Sequence, residues 1–131
     1  MPIVDQPSAV YQPGVCNIGP AEIRSRRMVG VVGAAVTVAL LAGFVIFSVS
    51  DGWRWLVIAP AAVSAMGFLQ AAFHFCARFG MAGLFNFGTL GDHEEVHEHE
   101  FRQKDQRKAV LISSLSLAIG VAIAVIAMVL P

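Results

Sequence analysis

Residues 28–49 read MVGVVGAAVTVALLAGFVIFSV, twenty-two positions without a single charge. At about 1.5 Å of rise per residue, a helix of this length crosses a hydrocarbon core of roughly 30 Å. In lipid a backbone must satisfy its own hydrogen bonds, so such a run is expected to be a transmembrane helix. Two more stretches share its character: residues 55–77 hold no Asp, Glu, Lys or Arg, and neither do residues 109–130. The expected fold is therefore an all-α membrane protein with three transmembrane helices. Composition agrees, because 56% of the chain is hydrophobic and only 14% is charged, against about a quarter charged in a soluble domain. A net charge of zero gives no electrostatic reason to expect a nucleic-acid partner.

The flanks fix the order of the spans. Residues 1–19 contain three prolines and no repeating period, and are expected as an extended tail. Pro20 suits a first helical position, where its missing N–H is not needed. Ser50-Asp51-Gly52 is so short a turn that the second span must return antiparallel to the first, and Trp53 and Trp55 sit where an interfacial aromatic belt belongs. Pro60 removes one backbone donor and is expected to bend the second span locally. Ser48-Val49-Ser50 resembles a small-x-small cleavage site, but the charged region and apolar run before it are longer than a secretory signal has.

Lys and Arg placement gives an orientation. Arg24, Arg26 and Arg27 precede the first span. Arg78, Arg102, Lys104, Arg107 and Lys108 lie between the second and third, and only Arg54 falls in the other turn. This predicts a multi-pass protein of a cell membrane (the inner one in a bacterial source), with a cytoplasmic N-terminus and an external C-terminus. The expected organisation is a tail (1–19), a two-helix hairpin (20–77), an interfacial segment (78–91) and a third helix that starts in the cytoplasm (92–131).

Helices in lipid associate through small residues that let backbones approach. Ala35, Ala39 and Gly43 form such a stripe on the first span, Ala61 and Ala65 on the second, and Ser116, Gly120 and Ala124 on the third. These stripes either close a three-helix bundle or leave one face for a partner, a second copy or a larger membrane complex. No span carries a charge that would line a pore, which argues against transport by a single monomer.

Between the spans, the apolar, glycine-broken residues 79–88 are too short to cross and are expected at the interface, anchored by phenylalanines. Asp92 with Glu95 three positions later has the form of a helix-capping box. Glu98 with Arg102 and Glu100 with Lys104 have ion-pair spacing on the helix that would follow. On that helix His93, His97 and Glu100 share one face and could ligate Zn²⁺ or another divalent transition metal. The spacing is not that of an HExxH protease. A solvated charged helix without a ligand and a pH-responsive contact are the alternatives. Cys16 and Cys76 are too few for a disulfide framework and are expected as thiols. Cys76 is a candidate reactive thiol with Arg78 as the neighbouring cation, beside a plain packing role.

Two short motifs resemble the YgaP-like transmembrane domain family of small membrane hairpins, which occur alone or attached to rhodanese sulfurtransferases. Asn17-Ile18-Gly19 followed by Arg26 and Gly30 is similar to that family's opening. Cys76-Ala77-Arg78-Phe79 followed by Gly83 and Leu84 is similar to its ending. Ala77 and Phe79 stand where the family has proline and tyrosine, and the third helix lies outside the pattern. Over about residues 16–88 the resemblance implies a two-span hairpin and hints at sulfur chemistry around Cys76.

The chain shows no nucleophile–base constellation and no phosphate-binding loop, so it is not expected to be an enzyme or to hold a resident cofactor. Its expected function is that of a non-catalytic accessory or structural subunit embedded in the lipid bilayer, self-oligomerising or docked on a larger complex. The alternative is sulfur or transition-metal handling through Cys16, Cys76 and the stretch from His93 to His99.

Overall fold

The computed structural model describes residues 11–131. Three helices in it are long and apolar enough to cross a membrane, as the uncharged runs require. Helix α1 (Pro20–Ile46) begins with its proline in the first turn. After Ser48, which takes a left-handed conformation, the chain re-enters helix at α2 (Asp51–Arg54). A 3₁₀ turn, Trp55–Val57, leads into α3 (Ile58–Phe73). Pro60 thus falls in the first turn of α3, and the tighter 3₁₀ turn before it absorbs the irregularity expected of a bend. Trp53 and Trp55 are exposed on either side of buried Arg54.

The second long helix stops at Phe73, short of the expected Ala77. His74 adopts a left-handed conformation and ends it, with its N–H on the Gln70 carbonyl. Phe75 is drawn into a core with Ala77, Ala109 and Ile112. A short helix α4 (Ala77–Ala82) follows, its first N–H accepted by Gln70 Oε1 at 2.8 Å. The last helix, α5, spans His99–Val129.

Helix α3 is the central element, packed on one side by α1 and on the other by α5. Its seam with α1 is made by Gly30, Gly33, Ser64 and Gly67. A β-carbon on Gly67 would lie 2.5 Å from Gly30 N and 2.6 Å from Arg26 O, so only glycine admits this approach. Ser64 Oγ donates to the Gly30 carbonyl across the seam at 2.7 Å. The expected stripe Ala35, Ala39, Gly43 is not this contact. Ala35 and Ala39 are exposed, and nothing approaches within 4 Å of a β-carbon at Gly43. The α5 seam does use Ser116, Gly120 and Ala124, all buried, with Gly120 against Ile58 and Ala62. Ala61 and Ala65 of α3 are buried as well.

At the turn end one side chain ties the helices together. The Arg54 guanidinium donates to the carbonyls of Val49, Ala127, Leu130 and Pro131 at 2.7–3.0 Å, and to that of Phe44 at 3.4 Å. It caps the C-terminal ends of α1 and α5 together, where helix dipoles favour a cation.

At the opposite, tail end, residues 11–19, α4, the connection to α5 and the first turn of α1 build a polar cap. Here β1 (Leu84–Phe85) pairs antiparallel with β2 (Glu94–Glu95), and Ile18 bridges Asn86 in parallel. The front half of the acidic, histidine-rich stretch is therefore a strand, and the helix expected from residue 92 begins at His99. The cause is local. Asp92 closes a turn with Thr89, whose hydroxyl donates to its carboxylate at 2.6 Å, instead of capping a helix. Val96 is buried, its N–H on the Gly83 carbonyl and its own carbonyl on Arg102 Nε. Phe79 packs inward with Ile18, Ile23, Ala71 and Cys76, and Phe85 stacks under Tyr11 at 4.8 Å.

Candidate functional site

The cap is organised around Asn17, which is fully buried. Its side-chain amide grips the backbone of Cys76 from both sides: Cys76 N donates to Asn17 Oδ1 at 2.7 Å, and Asn17 Nδ2 donates to the Cys76 carbonyl at 3.2 Å. Its main chain completes the set, the N–H on the His74 carbonyl and the carbonyl accepting from Asn86 N. Every polar group of this residue is thereby satisfied inside the protein.

Asn86 plays the matching part for the loop after β1. Its Nδ2 donates to Glu22 Oε2 at 3.0 Å and to the Thr89 carbonyl at 2.9 Å, and its Oδ1 accepts from Gly88 N. Glu22 is buried on the first turn of α1 and pairs with Arg26 one turn later at 3.1 Å. That is the one ion pair among the described residues, so the pairs expected at Glu98–Arg102 and Glu100–Lys104 are not made. Arg26 Nη2 also donates to Cys76 Sγ at 3.0 Å. Arg26 Nε is buried and finds no hydrogen-bond acceptor among the described residues.

Cys76 thus meets a guanidinium from α1. Arg78, the cation expected beside it, instead lies exposed with its guanidinium 5.9 Å from the Phe79 ring centroid. Cys76 as a whole is 2% exposed, so a reagent reaches its sulfur only when the cap opens. Cys16 is buried in the same cluster of elements, its Sγ 3.7 Å from the Ile18 carbonyl that accepts from it. Burial pushes the Cys16 thiol up from its ordinary value, and the hydrogen bond to Ile18 opposes that shift. Both cysteines are thiols.

The tail is pinned to α5 by a second polar contact. Asp105, fully buried, accepts from the Tyr11 hydroxyl at 2.6 Å and from Gly14 N at 2.8 Å. Burial raises the Tyr11 phenol above its usual range, and the hydrogen bond and negative charge of Asp105 push in the same direction.

His93, His97 and Glu100 do not share a helical face, because the first two precede α5 and only Glu100 lies within it. All three are exposed. Among the described residues no three His, Cys, Asp or Glu side chains are gathered for a metal ion.

Several residues that build the cap were not singled out as sites by sequence reading. Asn86 had a visible signal, since Asn86-Phe87-Gly88 repeats the Asn-x-Gly form of Asn17-Ile18-Gly19. The two segments are the pair joined by the Ile18–Asn86 bridge. Glu22 and Arg26 carried ion-pair spacing. Tyr11 and Asp105, ninety-four positions apart, carried none. Comparison of the chain with family models, curated proteins and solved structures gave no match.

Proposed function

We propose that this chain is a multi-pass membrane protein that serves as a non-catalytic accessory or structural subunit, assembling with itself or docking on a larger membrane complex. One observation carries this reading: the buried polar groups at both ends hold the helices, whereas the apolar flanks of α1 and α5 stay exposed. Exposed large side chains include Val31, Val38, Leu117 and Val125. Asn17, Asn86, Glu22 and Arg54 all bond within the protein. Gentle detergent extraction followed by native mass spectrometry should return a defined assembly, and a Cys16→Ser/Cys76→Ser double variant should keep it. Recovery of a lone monomer from every mild extraction would sink this reading.

The orientation we infer has the cap in the cytoplasm and the Arg54 turn outside. Eight of the nine Lys and Arg residues fall on the cap side, and the ninth, Arg54, is buried as a helix cap. A cysteine introduced at Leu90 should be labelled by a membrane-impermeant maleimide only after lysis, and one at Gly52 in intact cells. The reverse pattern excludes this topology.

Sulfur handling at Cys76 is the second reading, favoured by the Arg26 hydrogen bond to its sulfur. The residues that resemble the YgaP-like family also support it, because Asn17, Arg26 and Cys76 meet in one knot. The purified chain would then carry a persulfide that a Cys76→Ser variant lacks. A metal-handling version would show as stoichiometric zinc lost on His93→Gln/His97→Gln substitution.

A further inference from the structure

On α5, Lys104, Arg107, Lys108 and Leu111 recur at the i, i+3, i+4, i+7 spacing of a single helix face. This face and the tail residues Pro13 and Gly14 line a groove of about 360 Å³. The wall made by the tail is fixed rather than incidental. Gly14 adopts a positive φ of 70°, its N–H is held by Asp105, and a β-carbon there would come within 3.2 Å of Lys104 Cβ. The groove is basic and has no acid of its own. The nearest acid along the helix, Asp105, is buried and bonded to Tyr11 and Gly14, and the cations make no ion pair among the described residues. Lys108 is steadied with its Nζ 4.4 Å from the Phe73 ring centroid, which leaves its charge in place.

The groove also straddles a chemical boundary. Residue 108 is the last charged position of α5, and from Ala109 onward the helix is uncharged. Leu111, one turn below the cations, is exposed. A ligand that fits must therefore be anionic at one end and apolar at the other. We propose that this groove binds an anionic phospholipid, its phosphate held by Lys104, Arg107 and Lys108 and one acyl chain lying along Leu111. A soluble phosphate would use the upper half alone and leave Leu111 unoccupied. The site builds on the membrane embedding of α5, and holds whichever subunit or sulfur role the chain has.

The test uses the purified full chain, delipidated in mild detergent and offered equal amounts of phosphatidylglycerol and phosphatidylcholine, with bound lipid read by native mass spectrometry. The wild type should retain phosphatidylglycerol preferentially. Near a membrane surface each basic residue contributes measurably, so Lys104→Gln/Arg107→Gln/Lys108→Gln should lower retention about tenfold or more. The matched surface variant Arg24→Gln/Arg27→Gln/Arg78→Gln should change it less than about twofold. Single variants Lys104→Gln and Arg107→Gln, each expected to lower retention severalfold, keep the test standing where the triple variant does not fold. Leu111→Asn should weaken lipid retention too. Equal losses in the groove and surface variants would mean diffuse charge attraction and overturn the site. Displacement of the lipid by millimolar inorganic phosphate or glycerol 3-phosphate would assign the groove to a soluble phosphate and overturn the lipid. Absence of any preference for phosphatidylglycerol overturns it as well.

Discussion

Asn17 shows how much one side chain can hold. Its amide supplies both a donor and an acceptor to the main chain of Cys76, fifty-nine positions away. An Asn17→Ala variant leaves the buried Cys76 N–H without a partner, while the Cys76 carbonyl keeps its bond from Gly80 N, and should cost roughly 1–3 kcal/mol. Thermal unfolding in detergent would register the loss, whereas an unchanged midpoint would mean that water replaces the amide at no cost. The same cap should respond to alkali. Folded Cys16 and Tyr11 both hold their protons more tightly than in the released tail, where about 8.5 and 10 are ordinary values. The stability tied to them is complete below those values and is lost as pH rises past them. Unfolding midpoints should therefore fall above about pH 8.5 and more steeply above about pH 10, and Tyr11→Phe should remove the steeper part. A wild-type profile flat to pH 11 would contradict this.

At the scale of elements, glycine position decides more than glycine number. The first apolar run holds Gly30, Gly33, Ala34, Ala35, Ala39, Ala42 and Gly43, so several stripes of small residues can be drawn on it. Only the facing helix selects one. Gly67 and Ser64 of α3 choose Gly30 and Gly33, and leave Ala35 and Ala39 outside. Gly67→Ala should force α1 and α3 apart and destabilise by about 1–3 kcal/mol. Gly43→Ala should be neutral or stabilise by up to about 1 kcal/mol, because alanine prefers helix and meets nothing there. Equal effects from the two variants would refute the seam.

The spans were legible for a related reason: an uncharged run of that length has one stable form in lipid, whatever packs beside it. The cap was not, because its elements are short and set by distant partners. Asp92 and Glu95 have the letters of a helix cap, yet pairing of Glu94–Glu95 with Leu84–Phe85 and burial of Val96 overrule them. With that helix start went the common face for His93, His97 and Glu100. For Cys76 the thiol was legible and its neighbour was not. Arg78 is two positions away in sequence, but Arg26 is the one that reaches the sulfur.

Taken whole, the molecule is a set of apolar helices clamped at both ends by polar groups that share no partners. Asn17 joins the tail, α4 and the loop after β1; Arg54 joins the ends of α1 and α5. Between them runs most of the length of α3, roughly 25 Å for its sixteen residues. Independent clamps at that separation should act additively. Arg54→Gln strips a charged donor from several carbonyls and should cost about 2–3 kcal/mol. Combined with Asn17→Ala, the two losses should sum to within about 0.5 kcal/mol. Asn17→Ala with Asn86→Ala should behave differently, because both residues serve one backbone bridge and the first loss removes part of what the second would. Their combined effect should fall short of the sum by about 1 kcal/mol or more. Denaturation in mixed detergent micelles measures all the variants on one scale. Strong coupling between Arg54 and Asn17 would mean that α3 transmits strain from end to end, and that the molecule has one clamp rather than two.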